Sequence, residues 1–131
     1  MNYLLDTNIC IFYLNGKFDM KTKIEQVGLT NCYISEITVA ELKFGAEKSG
    51  REQEKRIIIS EFISKMQIVP IFNSLDLYAI EKARLSNLGT IIDDFDLLIG
   101  VSSVVNTMIM VTNNIKHFER IQNIELQDWT K

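Results

Sequence analysis

Four polar residues stand where a folded chain could use them chemically. Asp6 ends the short apolar run Tyr3–Leu5, and Glu41 lies in the helix predicted after the second apolar run. Asp96 begins a later helix, and Asn114 follows the fourth apolar run directly. Ligands of open α/β sheets bind outside the carboxyl ends of the strands, where residues distant in sequence meet. We therefore predict that these four side chains share one site.

Asp6 and Glu41 each have a simpler interpretation. An Asp after a strand often does no more than accept hydrogen bonds from the following backbone N–H groups. Helical spacing puts Glu41 on a stripe with Ile37 and Phe44, which we expect to face the core. A carboxylate there needs a partner, because an isolated buried charge is too costly. A salt bridge to a Lys or Arg is the alternative to a functional role.

Three acids are crowded at the start of one helix, in the run Asp93-Asp94-Phe95-Asp96. One of them is expected to be the N-cap, and all gain from the helix dipole. We predict that Asp94 is the cap and that Asp96, one turn into an apolar helix, points inward. No function is assigned to Asp93.

Several carboxylates in one cleft repel each other unless a cation lies among them. With oxygen ligands only, the usual cation is a hard divalent ion, so we predict a Mg²⁺ site that Mn²⁺ can also fill. Such an ion suits phosphate chemistry, because it activates a water as nucleophile and neutralises the phosphoryl oxygens, with two ions in the fullest version. The number of ions stays open.

Short apolar runs alternate with helical patterns, which predicts an α/β fold with a parallel sheet flanked by helices. The predicted strands are 3–5, 32–34, 68–71 and 108–111, with a weak last strand at 124–126. The predicted helices extend from a cap at Thr7 or Asn8 to Leu14, from Ser35 to about Gly50, over 51–66, from Ser74 to Leu88 and over 94–105. Pro70 favours an edge position for the third strand, and Gly89 a C-terminal stop for the fourth helix.

Length and composition exclude several classes of protein. The chain has 131 residues, of which 47% are hydrophobic, so we expect a single domain over 1–131 and no disordered tail. Two cysteines and one histidine exclude a zinc finger. The uncharged stretch 97–115 carries too many Ser, Thr and Asn residues for a membrane span. With no signal peptide expected, we predict a cytoplasmic protein.

The net charge of −3 argues weakly against a nucleic-acid binder. If a metal ion neutralises part of the acidic excess, the scattered basic residues are free to meet a polyanion. Each of them is by default a solvated helix residue. They are Lys43, Lys48, Arg51, Lys55, Arg56, Lys82 and Arg84.

Four segments in this order resemble the PIN-domain ribonucleases, and among them most the VapC toxins of bacterial toxin–antitoxin operons. The segments are Leu5-Asp6-Thr7-Asn8, the stretch 34–42 around Glu41, Asp94-Phe95-Asp96-Leu97-Leu98-Ile99-Gly100, and Val111-Thr112-Asn113-Asn114 with His117-Phe118. The resemblance covers nearly the whole chain. Gly100 stands where Ala is more usual.

The resemblance implies a PIN-like sheet and an endoribonuclease. It implies that Asp6, Glu41 and Asp96 bind the metal and that Asn114 fills the fourth catalytic position, uncharged where a stricter pattern has an acid. Thr112, which is expected to hydrogen-bond a metal ligand or a water, is a supporting residue with Thr7 and Asp94. Cleavage is expected to leave a 5′-phosphate and a 3′-hydroxyl.

The resemblance also implies partners. A homodimer is expected, together with a VapB-like antitoxin that lays a helix or strand into an apolar groove, with the helix 51–66 as one wall. Two alternatives stay open: a PIN-like module that binds RNA or protein without cutting, and a housekeeping PIN nuclease without an antitoxin. A haloacid dehalogenase phosphatase needs an acid where this chain has Asn8, and the acids of a receiver domain are missing.

Overall fold

The computed structural model describes residues 1–131 as a five-stranded parallel sheet with helices on both faces. The strands are β1 (Tyr3–Leu5), β2 (Cys32–Ser35), β3 (Gln67–Val69), β4 (Ile109–Val111) and β5 (Glu125–Gln127). The helices are α1 (Thr7–Leu14), α2 (Met20–Val27), α3 (Glu36–Glu47), α4 (Glu52–Lys65), α5 (Leu75–Leu88), α6 (Asp94–Val105) and α7 (Ile115–Phe118). The predicted α/β class is confirmed.

The order of the strands puts β1 at the centre of the sheet. The strand order is β3-β2-β1-β4-β5. Strands β2 and β3 are therefore added on one side of β1, and β4 and β5 on its other side. Leu4 pairs with Tyr33 of β2, and Leu5 pairs with Val111 of β4. The strand order therefore reverses between β1 and β4, which is where open α/β sheets form their ligand crevice.

Two apolar clusters, one on each face of the sheet, hold the helices in place. Successive side chains of a strand point to opposite faces, so Leu5 and Val111 pack with residues of α1 to α4. Leu4 and Met110 pack on the other face, mainly with residues of α5 to α7. All four side chains are fully buried. The strands are too short to be stable alone, and this two-sided burial fixes them.

Two helices were not predicted, and the predicted cap of α5 lacks its side-chain hydrogen bond. In α2 only Met20 and Ile24 are buried among polar neighbours, so its apolar pattern is weak, and α7 is a single turn. Ser74 occupies the N-cap position of α5, as predicted, and also ends a 3-10 turn. Its buried hydroxyl has no hydrogen-bond partner, so it forms no cap hydrogen bond. Gly89 ends α5 in a left-handed conformation, as predicted.

The edges of the remaining elements differ from prediction by three residues or fewer. Strand β3 is an edge strand, as predicted from Pro70, but it ends at Val69 because the proline follows it. The uncharged stretch 97–115 is divided between α6 and β4. None of the helices combines the length and apolarity that crossing a bilayer requires.

Candidate functional site

A cavity of about 670 Å³ opens at the carboxyl ends of β1 and β4. It brings together the four side chains that the sequence analysis grouped, although they come from α3, α6 and the residues after two strands. The polar residues on its walls are Asp6, Thr7, Asn8, Glu41, Asp96, Asn114 and Lys48. The reversal of strand order between β1 and β4 explains the position of the cavity.

Asp6 is buried and combines two functions. Its Oδ1 accepts a hydrogen bond of 2.8 Å from the Thr7 N–H, so Asp6 itself caps α1, where Thr7 or Asn8 was predicted. Its Oδ2 accepts a hydrogen bond of 2.9 Å from the hydroxyl of Thr112, and its backbone N–H donates one to the Val111 carbonyl. Asp6 is therefore fixed to β4 on one side and to α1 on the other, with its carboxylate at the cavity.

Glu41 is half-buried on the face of α3 that lines the cavity. Its Oε1 accepts a hydrogen bond of 2.6 Å from Thr7 Oγ1, which is also 3.0 Å from Thr38 Oγ1. No Lys or Arg forms a salt bridge with Glu41, so that alternative is wrong. The expected burial of Phe44 is also wrong: its side chain is 64% exposed on the rim of the cavity.

Asp96 lies in the first turn of α6, half-buried, and its Oδ2 is 3.1 Å from His117 Nε2. This contact with the one histidine of the chain was not foreseen. The available signal was that His117 lies six residues after the end of β4, three beyond Asn114. The ring of His117 holds Asp96 from the α7 side, a common arrangement for carboxylates that also bind a ligand.

Asp93 and Asp94 lie outside the cavity. Asp94 was predicted to cap α6, but Asp93 occupies the N-cap position, without a side-chain bond. The Asp94 carboxylate accepts 2.8 Å hydrogen bonds from the Tyr78 hydroxyl and from Lys82 Nζ of α5. These two partners pull Asp94 toward α5, and the structure gives it no contact with the other site residues.

Asn114 is exposed at the cavity and is positioned through its backbone. Its N–H donates a hydrogen bond of 3.0 Å to Thr112 Oγ1, and the same hydroxyl donates a hydrogen bond to Asp6. Thr112 is fully buried, so this two-bond chain is shielded from water. One side chain thus fixes the positions of both Asp6 and the loop that carries Asn114.

The three carboxyls have raised pKa values. Burial raises the pKa of Asp6 to about 6, and the charges of Asp96 and Glu41 add to the effect against the hydrogen bond from Thr112. Burial, followed by the charge of Asp96, raises the pKa of Glu41. Burial also raises the pKa of Asp96, which His117 opposes. Each charge is thus destabilised by burial, and Asp6 and Glu41 also by a neighbouring carboxylate.

The donor chemistry of the cavity fits a hard divalent cation. Three carboxylates and one amide supply only oxygen ligands, and a cation would relieve the repulsion that raises their pKa values. As they stand, however, no three Asp, Glu, His or Cys side chains are grouped closely enough to hold an ion. Glu41 and Asp96 are engaged with Thr7 and His117 instead.

Comparison with known proteins gives a consistent match over the chain. The family model described as "PIN domain" matches residues 3–124. "Ribonuclease VapC2" of Rickettsia felis is 35% identical over 134 residues and covers all of both chains. "tRNA(fMet)-specific endonuclease VapC" of Salmonella typhimurium is 30% identical over 130 residues, 98% of each chain.

Solved structures agree with this match. The chain superimposes on VapBC2 from Rickettsia felis, bound to a DNA fragment from the promoter, with a TM-score of 0.91 and 32% identity. That alignment covers 98% of this chain and 99% of the other. DNA-bound VapBC from Salmonella typhimurium gives a TM-score of 0.92 with 30% identity over 98% of each chain.

Proposed function

This chain belongs to the PIN-domain family and, within it, to the VapC ribonucleases, and on that premise we propose that it is the RNA-cleaving toxin of a VapBC pair. One observation carries the proposal: Asp6, Glu41 and Asp96, from three separate segments, line one open cavity without a salt bridge to Lys or Arg. A carboxylate cluster of this kind costs stability, which is expected where a site serves chemistry rather than folding.

We propose that Asp6, Glu41 and Asp96 hold Mg²⁺, or Mn²⁺ in its place. When bound, the ion would acidify a water for attack on the scissile phosphate and neutralise the phosphoryl oxygens. Thr112 holds Asp6 and the Asn114 loop in place, and Thr7 orients Glu41. The uncharged amide of Asn114 faces the cavity without adding to the repulsion. The products are an RNA 5′-phosphate and 3′-hydroxyl.

Substitution of single carboxylates tests this activity. We expect Asp6→Asn and Asp96→Asn each to lower the rate of RNA cleavage in Mg²⁺ or Mn²⁺ more than about 100-fold, since even outer-shell partners of a metal account for 10- to 100-fold. The measurement is cleavage of total RNA, with the 5′ ends sequenced. Asp76→Asn, an exposed α5 residue outside the cavity, is the matched control. Unchanged cleavage by either site variant contradicts the proposal.

We propose that the partner is a VapB-like antitoxin seated beside the acidic cavity. A second cavity of about 270 Å³ lies between α1, α3 and α4, with apolar walls formed by Ile11, Leu14, Leu42, Ile58 and Ile59. It shares Ile11, Glu41 and Gly45 with the acidic cavity. An apolar helix or strand placed there would also cover the carboxylates. The predicted groove wall, the helix 51–66, contributes Ile58 and Ile59, while its Phe62 and Met66 are core.

Expression in cells distinguishes the toxin from the two alternative functions. Growth arrest that a small cognate partner relieves is expected of the toxin. Arrest that persists in the Asp6→Asn variant favours a module that binds RNA without cutting it. Cleavage in vitro without growth arrest favours a housekeeping nuclease.

We also propose a homodimer. Several large apolar side chains of α5 and the loop after it are more than 60% exposed, at a cost in solvation that a second copy would remove. They are Ile80, Leu88 and Ile91.

A further inference from the structure

One wall of the acidic cavity consists of side chains that the carboxylate chemistry does not use. Phe44 of α3, Lys48 at the C-cap of α3 and Phe95 of α6 all line it, together with Gly45. Phe44 is 64% exposed and Phe95 is 47% exposed. Both exposed rings therefore lie where a ligand in the cavity would contact them.

The wall continues from the acidic site along one face of α3. Glu41, Phe44 and Lys48 are spaced i, i+3 and i+7, so they share a face of the helix. Lys48 lies about 10 Å beyond Glu41 along the axis, at 1.5 Å per residue. Its Nζ is 5.2 Å from the centre of the Phe44 ring. Lys48 is the only Lys or Arg on the walls of the cavity.

Gly45 is a glycine that the fold itself does not require. It lies in the interior of α3 with ordinary helical geometry, and a Cβ built on it would meet no atom within 4 Å. A glycine inside a helix lowers stability relative to alanine. Its missing side chain leaves the backbone of α3 open toward the cavity. Glycine at such a position permits a ligand backbone to approach closely.

We propose that this wall binds unpaired nucleotides on one side of the scissile phosphate. Phe44 and Phe95 stack on bases, Gly45 admits the sugar–phosphate backbone to α3, and Lys48 pairs with a phosphate. The inference rests on the proposed nuclease function, because a strand cut at the carboxylates must continue over the walls of the same cavity. Rings stack only on bases that are not already stacked in a duplex, so the substrate class is single-stranded or loop RNA.

The arrangement favours RNA over a protein segment on this wall. The two aromatic rings offer stacking surfaces for bases, and the one cation offers a partner for a phosphate of a single strand. The groove between α1, α3 and α4 has mainly apolar walls, which offer a protein segment more apolar contact, and one cation, Lys55. The two surfaces therefore fit two different partners.

Binding of a defined probe tests the proposal. The probe is an unstructured ten-nucleotide RNA with one 2-aminopurine, whose fluorescence falls on stacking, and the same strand in a duplex is the reference. In an Asp6→Asn background that leaves RNA intact, we expect Phe44→Leu and Phe95→Leu each to weaken binding at least about fivefold and to lose the fluorescence change. Phe44→Trp should retain both. Phe72→Ala, 79% exposed outside the cavity, is the control.

Two further variants separate ligand contact from a structural role. Gly45→Ala should raise the melting temperature by roughly 2–5 °C and yet weaken binding of the probe. Lys48→Gln should reduce the slope of log Kd against log salt by about 0.7, the value of one single-strand phosphate contact. Lys21→Gln, an exposed α2 residue, should leave the slope unchanged.

The outcomes distinguish this inference from the proposed function. If the parent chain cleaves RNA while the leucine variants and Gly45→Ala keep its Kd and KM, the inference is wrong and the nuclease stands. If the variants lose only inhibition by an antitoxin, the wall binds protein and the inference is again wrong. If the parent does not cleave but the variants weaken probe binding as described, the wall binds RNA and the nuclease function fails. Equal affinity for the strand and the duplex also overturns the inference.

Discussion

Asp6 combines more structural contacts at the site than any other single residue. Its carboxylate caps α1, receives the Thr112 hydroxyl and lines the cavity, all while 5% exposed. The two hydrogen bonds favour its charged form, but burial and two neighbouring carboxylates disfavour it more strongly, so that its pKa rises to about 6. The folded chain without an ion therefore carries an uncompensated charge at neutral pH.

The sign of this effect predicts how stability changes with pH. The folded pKa of about 6 exceeds the ordinary value of 3.8, so the folded state is favoured below pH 3.8 and loses that advantage as the pH rises through 6. The difference corresponds to about 3 kcal/mol. In EDTA at pH 8, we expect Asp6→Asn to be more stable than the parent chain by about 1–3 kcal/mol. Urea unfolding from pH 8 to pH 4 should show this gain shrinking below pH 6.

Asn retains an oxygen for the Thr7 N–H and an amide that can donate to Thr112, so the cap survives the substitution. Asp76→Asn, at the surface, should change the unfolding free energy by about 0.5 kcal/mol or less at all pH values. A destabilised Asp6→Asn variant at pH 8, or a gain that does not depend on pH, would show that burial does not govern this carboxyl.

Residue types and their order were enough to select Asp6, Glu41, Asp96 and Asn114. Asp6 and Asn114 follow strands, Asp96 lies in the first turn of a helix, and Glu41 lies within the helix after β2. The N-cap residue of α6 could not be predicted in the same way. Asp94 is drawn away by Tyr78 and Lys82, which lie on α5, and contacts between elements leave no local pattern in the sequence.

At the scale of elements, α3 and α6 each contain an interior glycine, and the two differ in their surroundings. Gly45 faces open space, whereas a Cβ on Gly100 would overlap Cδ1 of Ile121 and touch Phe118 Cδ1 at 3.4 Å. Gly100 thus lets the segment after α7 pack closely on α6. The sequence showed an unusual glycine but not its cause, because Ile121 is 21 residues away.

This packing predicts a coupling between Gly100 and Ile121. Gly100→Ala gains helix propensity of up to about 1 kcal/mol but must displace the end of the Ile121 side chain. In an Ile121→Val background the obstructing methyl is absent, so the same substitution should stabilise the protein. We expect a coupling energy of about 1 kcal/mol from a double-mutant cycle measured by urea unfolding. Additive effects of the two substitutions would contradict the contact.

A buried ion pair on α5 also could not be predicted from the sequence. Glu81 is 2% exposed and accepts two hydrogen bonds from Arg84 and one from the Gln122 N–H. The hydrogen bonds from Arg84 lower the pKa of Glu81. The helical pattern identifies α5, but the tie to the loop before β5 depends on a chain reversal that periodicity does not encode.

At the scale of the whole molecule, the exposed apolar side chains of α5 predict self-association. We expect the chain to sediment as a dimer at micromolar concentration and Ile80→Lys with Leu88→Lys to sediment as a monomer, because two buried charges without partners would oppose the contact. Ile57→Lys on α4, where the native side chain is 69% exposed, is the control and should remain dimeric. A parent chain that sediments as a monomer would contradict the dimer.

The alternation of short apolar runs and helical patterns was sufficient to predict the α/β class and the first four strands along the chain. It was not sufficient for α2, whose two buried residues are too few to give a period, or for the one-turn α7. The position of the site followed from topology, since parallel strands place their carboxyl ends at one edge.

The hydrogen bond between Thr112 and Asp6 spans 106 positions of the chain, and this separation has a consequence during translation. At roughly 5–20 residues per second, the ribosome adds Thr112 about 5 to 20 seconds after Asp6. Until β4 has emerged and inserted beside β1, the nascent polypeptide has neither the Asn114 loop nor an anchored Asp6. The carboxylate site of the ribonuclease is therefore incomplete while the ribosome is still making the chain.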